Sequence, residues 1–190
     1  AGAMAAAELR EQYPQRKILT VDTLAASGGE GLLLWLTLEE QRRGATLEQA
    51  AAFAEGMKLK ICHWFTVDDL EYLKRGGRVS PTVALVGGLL GIRPVMHMDD
   101  EGHLIKMFTV RGRRASLQAL VDKYGELAHE PGKTPIFISH GDCMEEAQLL
   151  ARLLKEAHGV EVARIVDVGP VIGAHSGPGT LSLFFVGEHR

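Results

Sequence analysis

One stretch limits the fold more than any other. Pro135 to Ser139 is a short apolar run, and Val160 to Val168 is another. Between them Met144 to His158 repeats Ala147, Leu150, Ala151 and Leu154 at helical spacing, and Gly159 stops it. A helix between two strands must bury its apolar stripe on a sheet, which predicts an α/β layer. Asp142 is the expected cap of that helix, with Glu145 at capping-box spacing. The preceding text agrees. Ile92 to Met98 and His103 to Val110 read as strands joined by a turn at Asp99-Asp100-Glu101-Gly102. Ser116 to His129 sets Leu117, Leu120, Val121, Tyr124 and Leu127 on one helical face.

The front of the chain reads differently. Met4 to Gln12 is a helix, Lys17 to Asp22 a short buried strand, and Thr23 to Gly31 a glycine-rich turn. Gly31 to Arg43 is helical, and Thr46 caps a further helix from Leu47 to Met57. Lys58 to Phe65 reads as a strand. Thr66 is the expected cap of a helix that ends with Lys74 and Arg75 before Gly76-Gly77, where basic charge suits the helix dipole. Ser80-Pro81 opens an apolar helix through Val83 to Leu90. A single strand cannot form a sheet. Residues 1–64 are therefore expected to be the remnant of a first α/β domain, and 65–190 a complete second α/β domain with a mixed sheet.

At 190 residues and 46% hydrophobic, the chain can bury a core. Its net charge of −3 leaves no basic excess for nucleic acid. Two cysteines, Cys62 and Cys143, fit neither a disulfide framework nor a cysteine metal site. No apolar run reaches the ~20 residues of a membrane span, and no secretory leader is visible, so a cytoplasmic location is expected. Transient contact with a membrane stays open.

Few residues can carry chemistry. Val168 to Gly179, VGPVIGAHSGPG, ends an apolar run at His175 and follows it with a glycine-proline turn. It reads either as a tight strand-strand turn or as a site offering backbone N–H groups beside an imidazole, suited to a carboxylate. Arg78, just after Gly76-Gly77, is placed to hold an anion or to be a solvated cap. Arg111, Arg113 and Arg114 form a basic run that reads as an acidic-partner surface or as solvated charge. His97 and His103 flank an acidic turn, but a solvated hairpin tip disfavours a metal. Cys143 follows His140 without an orienting third group, which disfavours a nucleophile. There is no phosphate-binding or dinucleotide fingerprint.

These stretches together resemble the DegV family, the fatty-acid-binding proteins that serve bacterial fatty acid kinases. The matching text is Phe65-Thr66-Val67-Asp68-Asp69-Leu70-Glu71-Tyr72-Leu73-Lys74-Arg75-Gly76-Gly77-Arg78, Ile92-Arg93-Pro94-Val95, Val110-Arg111 and His175-Ser176-Gly177-Pro178-Gly179. The resemblance implies a DegV-like two-domain α/β fold and a non-catalytic carrier. Its ligand is a long-chain fatty acid in an apolar tunnel, its partner a fatty acid kinase subunit, and it needs no cofactor or metal. His175, Arg78, Ser176 and Gly177 are expected at the carboxylate. Val83, Val86, Leu89, Leu90 and Ile92 are expected along the tunnel, and Arg111 at the kinase. The family's Thr-Ser and Ser-Gly-Thr motifs are absent before Met4, so the chain reads as N-terminally truncated. The competing expectation is a hydrolase or transferase on a small acyl or phosphoryl substrate, with His175 as base.

Overall fold

The computed structural model describes residues 1–80 and 91–190. The helices are α1 (Gly2–Gln12), α2 (Gly28–Arg42), α3 (Leu47–Met57), α4 (Leu70–Arg75), α5 (Arg113–Leu127), α6 (Met144–His158) and α7 (Pro170–Ser176). The strands are β1 (Ile61–Thr66), β2 (Ile92–Met98), β3 (Leu104–Arg111), β4 (Ile136–His140), β5 (Val162–Asp167) and β6 (Leu181–Val186). They form one six-stranded mixed sheet in the order β3-β2-β1-β6-β4-β5. Among the described residues only β4 and β5 pair in parallel, and α6 is the crossover that parallel pairing requires.

The two faces of the sheet have separate covers. On one, Cys62, Trp64, Ile138, Leu183 and Phe185 pack under Leu117, Leu120 and Tyr124 of α5 and Leu150 and Leu154 of α6. On the other, α2 and α3 cover Ile61, Phe137, Phe184 and Val186, while α4 covers Phe65 and Met96. Register explains the division: His63 opposes Phe184 and Phe65 opposes Ser182, so these side chains share the second face. A gap remains on that face between α2 and α4.

Several local expectations are corrected. Residues 17–22 form no strand. A strand exists by pairing, and no strand of the sheet pairs with this segment; Ile18 instead gives its carbonyl to Arg10 at 2.9 Å. Thr66 ends β1, and Asp69 caps α4 by accepting from Glu71 N–H at 2.8 Å. Asp142 does not cap α6: at φ +53 it lacks the extended backbone of a cap, and Cys143 takes that place without a side-chain bond. The closing stretch is not a plain turn. Pro170 starts α7, and Gly177 at φ +76 ends it. Thr46 caps α3 as expected, in a reciprocal box with Gln49. The division expected between residues 64 and 65 falls inside β1, in the middle of the sheet.

Candidate functional site

The gap between α2 and α4 is a cavity of about 220 Å³. Its floor is the sheet: His63, Phe65, Met98, Ser182 and Phe184. Ala26 and Ser27 wall it at the start of α2, Leu73 and Arg78 at the end of α4, and Ile172, His175 and Ser176 on α7. Gly102 and Leu104 come from the β2–β3 hairpin. The lining is mainly apolar, with polar groups contributed from several walls, a composition that suits an amphiphilic small molecule.

Three of the expected head-group residues, His175, Arg78 and Ser176, meet here although about a hundred residues separate the first from the second in sequence. The reason is close packing of α7 on α4. A Cβ at Gly76 would lie 2.1 Å from His175 Nδ1, and one at Gly177 would lie 2.5 Å from the Tyr72 ring. Both contacts need glycine. The turn after α7 is pinned by Gly179 N–H on Gly141 carbonyl at 2.7 Å and by the Thr180 hydroxyl on Gly177 carbonyl at 2.8 Å.

The hydrogen-bond inventory decides who can meet an anion. Gly177 spends its N–H on Gly173 carbonyl at 2.8 Å and does not line the cavity. The glycine turn therefore supplies shape rather than backbone donors, a correction to its expected role. The Ser176 hydroxyl donates to Ile172 carbonyl at 2.9 Å. Arg78 places Nη1 on Gly76 carbonyl at 2.6 Å, and among the described residues its other guanidinium donors have no partner. Among the described residues the His175 imidazole has no hydrogen-bond partner. Ser27 and Ser139 hydroxyls lie 3.0 Å apart; one proton joins them, and among the described residues the other has no partner. His63 is different. Its Nδ1–H donates to Ile61 carbonyl at 2.8 Å, and burial, with Arg190 next, pushes its pKa down to about 3. It is a neutral part of the floor and brings no charge to an anion.

Ser27, His63 and Ser182 escaped the sequence reading as site residues. For Ser182 a signal existed, since the alternation Leu181-Ser182-Leu183-Phe184 puts Ser182 on the face opposite the leucines. Ser27 was legible only as part of a turn. Val83, Val86, Leu89 and Leu90 lie outside the described residues. Ile92 pairs with Arg111 at the start of β2 and is not among the residues lining the cavity, so its expected tunnel role is not met there.

The remaining candidates separate from this site. Arg111 is exposed at the end of β3, and Arg114 is exposed as well. Arg113 is committed to Glu146 at 2.5 Å and to Gly179 carbonyl at 2.8 Å. His97 turns inward, stacked on Trp64 at 4.7 Å, whereas His103 stays at the hairpin tip near Asp99 and Glu101. Those last three could bring ligand atoms within 4.8 Å of one another, but Asp99 Oδ1 already accepts the N–H of His103 at 2.7 Å. Cys143 gives its thiol to Thr180 carbonyl at 3.3 Å, and burial pushes its pKa up to about 11, which keeps it a thiol.

The family model described as "Uncharacterised protein, DegV family" matches residues 3–188. The chain belongs to the DegV family. A DegV domain-containing protein of Clostridium perfringens is 40% identical over 96% of this chain and 63% of its own length. The DegV chain thus spans less than two thirds of that relative. A crystal structure described as a fatty acid binding DegV family protein from Streptococcus agalactiae is 29% identical, with a TM-score of 0.80, covering 96% of this chain and 64% of that one. The Streptococcus pneumoniae Fatty Acid Kinase B3 protein, described as loaded with linoleic acid, has a TM-score of 0.89 at 23% identity, covering 98% of this chain and 66% of that one. At that identity the likeness shows the shared fold. No helix among the described residues is long and apolar enough to cross a membrane.

Proposed function

We propose that this DegV protein binds one long-chain fatty acid and presents its carboxylate to a fatty acid kinase, which makes the acyl-phosphate while the acid stays on its carrier. The observation that carries the reading is one cavity lined by Arg78, His175 and Ser27 together with the apolar Phe65, Leu73, Met98 and Leu104. Each buried methylene contributes ~0.8 kcal/mol, so a sixteen-carbon chain supplies roughly 10 kcal/mol before ordering costs. An unpaired buried carboxylate would cancel much of that. A guanidinium, an imidazole and a hydroxyl are enough to prevent it. Leu73, Phe65, Met98 and Leu104 are the apolar surface that would meet the start of the chain.

The carrier does no chemistry in this reading. Cys143 is held as a thiol, and among the described residues no hydroxyl or thiol is hydrogen-bonded to the His175 imidazole. Kinase presentation draws on the sequence resemblance at Val110-Arg111 and on the exposure of Arg111. Among the described residues no acidic side chain pairs with that guanidinium, which suits it to an acidic partner. Native mass spectrometry of the purified full-length protein tests the reading. A co-purified mass of a C16 or C18 acid supports it. An empty protein that turns over acyl esters would replace it with the hydrolase.

A further inference from the structure

Arg190 is buried, and its guanidinium is spent on backbone carbonyls. Nε donates to Ile61 at 3.1 Å and Nη2 to Lys58 at 2.7 Å, which seats the group at the start of β1. Nη1 donates to two further segments at once, to Leu24 at 2.8 Å and to Asp99 at 3.0 Å. Leu24 leads into Ser27, and Asp99 opens the turn of the β2–β3 hairpin. Both segments wall the cavity, one through Ala26 and Ser27, the other through Met98, Gly102 and Leu104.

The Leu24 segment needs holding. Leu24 at φ +48 and Ser27 at φ +54 are both left-handed and neither is glycine. Such residues persist when surrounding structure fixes them. Ser27 is fixed on one side by Ser139, and Leu24 by Arg190. The hairpin also touches this segment directly: a Cβ at Gly102 would sit 3.6 Å from Leu24 carbonyl. The guanidinium has five donors in a fixed fork and serves all four carbonyls; an ammonium has three and leaves at least one of them without its bond.

We propose that Arg190 is a positioning residue for the fatty-acid cavity, tying the Ser27 segment to the β2–β3 hairpin and so fixing where the Ser27 hydroxyl meets the ligand carboxylate. The inference rests on the fatty-acid reading above. It acts through Ser27, so the two residues must be coupled.

The test uses full-length protein with Arg190→Gln, Arg190→Lys, Ser27→Ala and the Arg190→Gln/Ser27→Ala pair. Affinity is read with a fluorescently labelled hexadecanoic acid, and loop order by amide hydrogen exchange. Arg190→Gln should bind about tenfold or more weakly, with Arg190→Lys in between. The double variant should bind no more weakly than Ser27→Ala alone, because a residue that acts through Ser27 adds nothing once the hydroxyl is gone. Amides of residues 24–27 and 99–103 should exchange faster while β1 and β6 keep their protection. If Arg190→Gln does not fold, Arg190→Lys carries the same expectations. Wild-type affinity and loop protection in either variant would overturn the inference, as would losses from Arg190 and Ser27 that simply add. A wild-type protein that binds no fatty acid would instead count against the fatty-acid reading, and loop exchange alone would then decide the Arg190 tie.

Discussion

At the scale of single residues, the site depends on one imidazole and the glycine beneath it. His175→Ala in the full-length protein should weaken fatty acid binding by roughly 1–3 kcal/mol, the scale of a lost charge-assisted hydrogen bond. A fluorescent fatty acid titration reads this directly. Gly76→Ala should act through the same group. Its Cβ would fall 2.1 Å from His175 Nδ1, so the ring must leave its position. Binding should drop while the melting temperature moves little, because Gly76 is half-buried at the end of α4 with φ −74, which alanine tolerates, and its one close neighbour is a side chain that can turn away. His63 carries a separate prediction. Its pKa is about 3 in the folded chain, mainly from burial, against ~6.5 unfolded. Below pH ~6.5 the unfolded chain takes up a proton that the folded chain refuses. Stability is therefore fully present above that pH and is lost as pH falls toward 3, at a slope of up to about 1.4 kcal/mol per pH unit. Burial lowers the His97 pKa too, with the same sign. Urea unfolding across this range should show the slope in wild type and a shallower one in His63→Leu. Equal slopes would contradict the assignment.

At the scale of elements, legibility followed the strength of the local pattern. The helix from Met144 to His158 was plain because its apolar stripe and its glycine stop agree, and Gly159 does take the left-handed cap at φ +69. Leu150→Ala or Leu154→Ala, both fully buried, should cost about 2–5 kcal/mol in chemical denaturation. The Lys17–Asp22 segment was misread because an apolar run says nothing about whether a partner strand lies beside it. The closing stretch was legible as a site but not as a helix. Two glycines and a proline promised a turn, yet Pro170 at a first helical position and packing against α4 and Tyr72 favoured α7. The convergence of His175 with Arg78 was implied by family resemblance; its physical cause, a ring lying on Gly76, needed coordinates. Ser27 could not be found in advance, because its role depends on a neighbour, Ser139, on a strand far along the chain.

At the scale of the whole molecule, the sheet carries two separate tasks. One face, under α5 and α6, holds the larger core; the other is divided between α2 with α3 and α4, and the division leaves the cavity. Arg111 lies at the far end of β3, away from the residues that line that cavity. On the proposed reading, docking and binding are therefore separate. Arg111→Ala in the full-length protein should keep fatty acid affinity and lose kinase-dependent phosphorylation of the bound acid, checked by paired titration and phosphoryl-transfer assays; lost affinity with intact transfer would reverse the roles. The central claim is that the cavity beside His175 takes a fatty acid by its carboxylate. The most direct measurement is a crystal structure of the full-length protein with hexadecanoic acid. The account predicts carboxylate oxygens within about 2.7–3.2 Å of donors on His175 or Arg78, with the chain running over Phe65 and Leu73. An acid seated elsewhere, or one entering this cavity tail first with its carboxylate in bulk water, would contradict it.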